Sequence, residues 1–200
     1  EAVGDDERGS PARELVHRLL ELLPDGEVRE VASGLDIESM IGFAADGTLY
    51  ALSWPGLFSV DLATGAVTRV EWYDRFSNTG NGVAMDDSGN LYTFHANHPI
   101  YRVSLVEHTS EAIYSSRGNT TAMALDPQGT IYVAYGDLLP GGESTIYRMV
   151  EEGALEQIAS IPYGIPLALA FDSAGTGYIG VGDREAGGSI LTFDPGSRAV

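Results

Sequence analysis

The chain has 200 residues, a formal net charge of −18 and no cysteine. That length suits one sizeable domain. The charge argues against nucleic acid or an anionic membrane as a partner, and the lack of thiols excludes disulfides and thiolate metal sites.

No apolar run is long enough for a transmembrane helix, so no membrane insertion is expected. No signal peptide is legible, and a start at Glu1 rather than Met is consistent with removal of a leader or an upstream domain. All 11 basic residues are arginine. A GC-rich genome accounts for that, and so does a salt-adapted or exported protein. The expected location is extracellular or periplasmic, and the expected state is a monomer.

Residues 1–9 are polar and charged, as at a frayed start. The stretch SPARELVHRLLELLPDG follows. Ser10 suits an N-cap, Pro11 the first helical position, and Leu15, Leu19, Leu22 and Leu23 share one helical face. A short helix is expected within 1–26, ended by Pro24-Asp25-Gly26. The rival reading makes residues 15–19 an extra strand, because LVHRL precedes PDGEVREVAS much as IYRM precedes EEGALEQIAS. Residues 27–33 alternate and read as an outer strand.

From there one pattern recurs: MIGFAADGTLYA, GVAMDDSGNLYT, AMALDPQGTIYV and ALAFDSAGTGYI. Its glycines, Gly47, Gly89, Gly129 and Gly175, are 42, 40 and 46 residues apart, and a tyrosine follows each by three. Each copy predicts a small-residue first strand (41–45, 83–86, 123–126, 169–172), a glycine hairpin and a second strand (48–53, 90–95, 130–135, 176–181). Third strands follow at 57–62, 100–105, 146–150 and 190–193. Fourth strands follow at 66–72, 110–115 and 154–161, and the last unit has none. Four short antiparallel strands in roughly 40 residues make a propeller blade. The expected fold is all-β: a β-propeller over 27–200, with four blades at about 37–72, 80–115, 119–161 and 165–200.

Small residues in the first strands suit crowding around an axis. Tyr50, Tyr92, Tyr132 and Tyr178 read as packing between blades, with the hydroxyl at a wetter edge. Two closures fit the spacing. Residues 27–33 complete the last blade, closing four blades within the chain, or residues 15–33 belong to another blade and the chain is part of a larger ring.

At GVAMDDSGNLYT and IYRVSL the sequence resembles the NHL-type repeat and, more broadly, six-bladed propellers of the SMP-30/gluconolactonase-like and streptogramin-lyase-like kinds. The resemblance covers 27–200. It implies fold far more specifically than function, because the repeat serves enzymes, sensors and adhesive modules alike. For the lactonases it implies metal ligands in the loops leading into inner strands. Asn81-Gly82-Val83 resembles their Asn-Gly-apolar motif, and Glu38-Ser39 their glutamate, although Ser39 is the residue in phase with Asn81. The other in-phase residues are Thr121, which is uncharged, and Leu167. Glu38 and Asn81 are the candidate ligands for calcium or another divalent cation, but such an ion wants more oxygens than this set supplies. Without it, no cofactor is expected.

The lyases imply a histidine base. His95 and His98, in HANHP, could bind metal or move a proton if a third group converged, although loop histidines are usually solvated. Trp54, Trp72, Tyr73 and Phe76 suit either stacking on a ligand or packing between blades. Loops 137–145 and 183–189, each with Gly-Gly, could form a rim. No GxSxG, P-loop, HExxH or EF-hand pattern occurs. The expected function is a binding or interaction scaffold for a small molecule, carbohydrate or protein. Its candidate loop residues are Glu38, Ser39, Trp54, Asn81, His95, His98 and Thr121. The alternative is a metal-dependent lactonase-like hydrolase or lyase with its site on the axial face.

Overall fold

A computed structural model describes residues 18–33, 40–44, 46–53, 56–73, 82–94, 98–115, 119–136, 144–183 and 187–200. Among them every regular element is a strand. The first two are β1 (Arg18–Leu22) and β2 (Val28–Ser33). The first blade is β3 (Met40–Phe43), β4 (Leu49–Ser53), β5 (Gly56–Val60) and β6 (Val67–Arg69). The second is β7 (Gly82–Met85), β8 (Asn90–Phe94), β9 (Ile100–Ser104) and β10 (Thr109–Tyr114). The third is β11 (Thr120–Leu125), β12 (Ile131–Tyr135), β13 (Ser144–Glu151) and β14 (Ala154–Ile161). The fourth is β15 (Ile165–Phe171), β16 (Gly177–Asp183) and β17 (Gly187–Phe193). Strands pair antiparallel in chain order within each blade, giving three four-stranded sheets and one three-stranded sheet. In the last blade an isolated Asp194↔Ala199 bridge closes the turn after β17.

The hairpins between first and second strands share one chemistry. Asp86 Oδ1 accepts the Ser88 and Asn90 amides, both at 2.9 Å. Asp126 and Asp172 do the same for residues two and four further on. Gly89 sits at φ +81°, where a side chain would be strained. The recurring tyrosine belongs to the same unit. Tyr92 Oη donates to Asp86 Oδ2 at 2.9 Å, and Tyr178 Oη to Asp172 Oδ2 at 3.0 Å. The rings pack between blades, as expected: Tyr132 lies 4.7 Å from Phe171 and 6.2 Å from Phe193 of the fourth blade. Tyr132 is 2% exposed and Tyr178 38%, because the far face of the fourth blade carries no further blade among the described residues.

The core lies between neighbouring sheets. Leu52 and Leu57 of the first blade meet Leu91 and Val103 of the second. Phe94, Ile100 and Ile113 meet Ile131 and Val133 of the third. Ile146 and Ile158 meet Leu169, Ile179 and Phe193 of the fourth. The inner strands β3, β7, β11 and β15 run side by side in that order. Small residues make this approach possible, since a Cβ on Gly42 would stand 3.1 Å from Val83 and Met85 side-chain carbons.

The N-terminal expectation needs correction. Residues 18–22 form β1, the extra-strand alternative, and not helix; residues 1–17 lie outside those described. Strand pairing with β2 and the seating of Leu19 and Ala32 against Leu49, Ala51 and Val60 override the helical periodicity. Nor does β2 complete the last blade. It pairs with β1, and these two form a sheet of their own.

That hairpin has the build of a blade's outer pair. Outer strands β10 and β14 each carry a bulge, at Ile113 and Ile158, where the register skips a residue. β2 has the same bulge at Val31. Turns between third and fourth strands reach back to the preceding outer strand. Gly153 N–H donates to Ile113 O at 2.8 Å, and Glu152 beside it pairs with Arg102 of the second blade at 2.8 Å. His108 stacks on Trp72 of the first blade, with centroids 4.9 Å apart. Arg198 pairs with Glu156. At Gly65 of the first blade the partner is Val31 O, which a Cβ would approach to 2.4 Å. Gly65, His108, Gly153 and Arg198 all have positive φ, so they occupy one place in the repeat. By the same rule, β2 stands to the first blade as each outer strand stands to the blade that follows it.

Candidate functional site at the axial mouth

A propeller collects the segments leading into its inner strands at one end of the axis, so residues distant in sequence share a surface there. The starts of two inner strands, β11 and β15, lie among the described residues and break their pairing alike. β11 pairs with β12 through Thr120↔Tyr135 and Ala122↔Ala134, leaving Thr121 as the extra residue of a bulge. β15 pairs with β16 through Pro166↔Val181 and Ala168↔Gly180, leaving Leu167 in the same role. A bulge breaks the pleat and re-aims its side chain. The in-phase positions 121 and 167 are therefore backbone irregularities as well as places where the sequence varies.

Their chemistry is uncharged. Thr121 is half-buried, and its Oγ1 donates to Ala134 O of its own blade at 3.2 Å. Asn119 Nδ2 donates to Gly136 O at 3.3 Å, and Gly136 N–H donates to Asn119 O at 3.2 Å, tying the loop before β11 to the end of β12. The next inner strand crowds this junction. A Cβ at Gly136 would lie 3.0 Å from Ile165 and Pro166 side-chain atoms and 3.2 Å from the Thr121 methyl. Leu167 is 66% exposed. Among the described residues no three histidine, aspartate or glutamate side chains are grouped to hold a metal ion.

The other candidate residues divide differently. Glu38, Ser39, Trp54, Asn81 and His95 lie outside the described residues, as do Phe76, residues 137–143 and residues 184–186, whereas Gly187 and Gly188 belong to β17. His98 is exposed in the turn before β9. Tyr73 is buried, and Trp72 packs edge-to-face on it while stacking on His108. That pair serves blade packing. Sequence reasoning missed the bulges, although Pro166 was a legible sign. A proline inside a strand, unable to donate to the ladder, is confined to edges and bulges.

Shifted carboxylates occupy the other ends of the inner strands. Burial is the largest influence on Asp86 and opposes its charge. Hydrogen bonds from Asn90, Tyr92 and Ser88 outweigh it and hold the carboxyl below its ordinary value. Burial and the bond to Asp86 push the Tyr92 phenol up to about 12. The Thr176 amide chiefly lowers Asp172, and the Thr48 amide Asp46. These groups are committed to their turns.

No protein-family model matches the sequence, and no curated protein matches it. Solved structures do resemble its fold. A chain of the nidogen/laminin complex is 15% identical with a TM-score of 0.70, over 88% of this chain and 70% of that one. A gluconolactonase from Xanthomonas campestris is 18% identical with a TM-score of 0.69, over 89% of this chain and 65% of that one. Virginiamycin B lyase from Staphylococcus aureus is 11% identical with a TM-score of 0.58, over 88% of this chain and 62% of that one. The chain thus spans less than two thirds of the length of both enzymes. At these identities the likeness is one of fold, and the fold the chain shares with them is the β-propeller.

Proposed function

We propose that the chain serves as a β-propeller binding scaffold that takes its ligand at the axial mouth, without chemistry of its own. One observation carries this reading: the bulged positions near the starts of β11 and β15 present a threonine hydroxyl spent on its own blade and an exposed leucine. Such a lining recognises by shape and apolar contact. These two described positions offer neither carboxylate nor base to a reacting group. The ligand is a small molecule or a protein segment that covers Leu167.

The second reading is a metal-dependent lactonase or lyase in a larger ring. The fold likeness to a gluconolactonase and a lyase favours it, with Glu38 and Asn81 as the ligands to test. One experiment separates the two. The purified chain is assayed for hydrolysis of glucono-δ-lactone with calcium and with chelator, and its melting is followed under both conditions. The scaffold reading expects no metal-dependent turnover and no calcium-dependent rise in Tm. Turnover that chelator removes and Asn81→Ala abolishes would overturn it.

A further inference from the structure

A groove of about 930 Å³ opens on the flank between the second and third blades. Its walls include Tyr114 and Ser115 at the end of β10, Tyr135 of β12, Thr145 and Tyr147 of β13, and Leu155 of β14. None of these strands is an inner strand, although Tyr135 pairs with Thr120 beside the axial mouth. It lies beside the Gly153–Ile113 contact that joins the two blades.

Its chemistry is specific. Among the described residues none that lines it is charged, in a chain of net charge −18. Three tyrosines contribute, and the rings of Tyr135 and Tyr147 meet edge-to-face at 5.2 Å and 88°. An edge-to-face pair leaves ring faces free for other contacts. Ser115 and Thr145 add hydroxyls. Tyr135 Oη is buried and has no hydrogen-bond partner among the described residues. A buried hydroxyl left unpaired is costly, so a group that satisfies it is favoured.

We propose that this groove binds a neutral carbohydrate. A sugar ring has an apolar C–H face suited to tyrosine and a rim of hydroxyls suited to Ser115, Thr145 and Tyr135. An anionic ligand would find no cation among the described lining residues and a repulsive surrounding field. A metal cation would find no carboxylate among the described lining residues. A purely aliphatic ligand would leave the hydroxyls unpaired. The site does not depend on the reading of the axial mouth.

The full chain is titrated by NMR and calorimetry with maltose, cellobiose, lactose and N,N′-diacetylchitobiose, with phenol as control. At least one disaccharide is expected to bind with millimolar or tighter Kd. Tyr147→Ala and Tyr114→Ala should each weaken that binding by about tenfold, in variants shown by circular dichroism to remain folded. Tyr135→Phe should weaken it several-fold while leaving Tm unchanged or raised, because it deletes an unpaired hydroxyl. Leu167→Ser, at the axial mouth, should leave it unchanged. The proposal is overturned if no disaccharide binds, if Tyr147→Ala binds as well as the parent, or if only Leu167→Ser loses binding. Phenol binding without sugar binding would make the groove a simple aromatic pocket and overturn it equally.

Discussion

Gly177 and Phe193 are cross-strand partners, and the Phe193 ring fills the space that a side chain at 177 would need. A Cβ there would stand 1.9 Å from Phe193 Cε1. The matching pairs are Leu49↔Val60 in the first blade and Leu91↔Val103 in the second. The last blade thus fills the same slot with glycine and a large ring instead of two aliphatic side chains. Phe193 is 2% exposed, so it has nowhere to move. Gly177→Ala should destabilise the chain by about 1–3 kcal/mol through overpacking, read as a lower urea midpoint. Gly177→Leu combined with Phe193→Val should recover most of that loss, because it restores the volume pairing of the other blades. If the double variant is no better than the worse single one, the slot is not conserved in volume.

The turn aspartates and Tyr92 set a pH dependence at both ends. Asp46, Asp61, Asp86, Asp172 and Asp194 all have folded values below the ordinary 3.8. Their contribution is therefore present above that value and is lost as pH falls through the lower folded values. Tyr92 runs the other way. Its folded value is about 12 against an ordinary 10.0, so its contribution is complete below pH 10 and disappears as pH rises through 12. Stability should fall below pH 4 and again above pH 10. Tyr92→Phe should flatten the alkaline limb and cost about 1.5–3 kcal/mol at neutral pH, the usual loss for a hydrogen bond to a charged acceptor. Denaturant midpoints across the pH range would check both limbs.

The hairpins were legible in the sequence because their chemistry is local. Asp86, Gly89, Asn90 and Tyr92 lie within one short stretch and dictate one another's conformation. β1 was harder to read. Leu15, Leu19 and Leu22 fall on one helical face but not on one strand face, and only pairing with β2 decides for the strand. Contacts between blades leave no local trace. Gly153 meets Ile113, and Tyr132 meets Phe171, across about one repeat of chain, so their partners emerge only when sheets pack. The candidate site was legible in part. Phase singled out positions 121 and 167, but the bulges that make them special depend on register with β12 and β16. Positions 38, 39, 54, 81 and 95 remain sequence-based candidates.

Loss of the Thr121 hydroxyl tests whether the mouth is preformed. Thr121→Val keeps the shape but removes the donor to Ala134 O, leaving a half-buried carbonyl short of one bond. A cost of about 0.5–1.5 kcal/mol is expected, with faster amide hydrogen exchange at Ala122 and Gly136. Leu167→Ser should change stability by less than about 0.5 kcal/mol, because Leu167 is mostly exposed. Equal costs for the two would mean that Leu167 is packed in solution.

The turns that reach back to the preceding outer strand make the sharpest prediction about how the blades hold together. His108 sits at φ +57° with its ring on Trp72, while Gly65 sits at φ +72° against Val31 O. A left-handed conformation costs a non-glycine residue about 1–2 kcal/mol, and ring stacking returns about 0.5–1.5 kcal/mol. His108→Gly should therefore be nearly neutral, since relief of strain offsets the lost stack. His108→Ala keeps the strain, loses the stack and should be destabilising. Gly65→Ala adds strain and drives a methyl into a backbone carbonyl that cannot yield as a side chain can. Its effect should concentrate on β1 and β2, which it levers off the first blade. Hydrogen exchange would show residues 18–33 losing protection in Gly65→Ala while β11 through β14 keep theirs. Uniform loss across all blades would mean instead that the β1–β2 hairpin and the blades unfold as one cooperative unit.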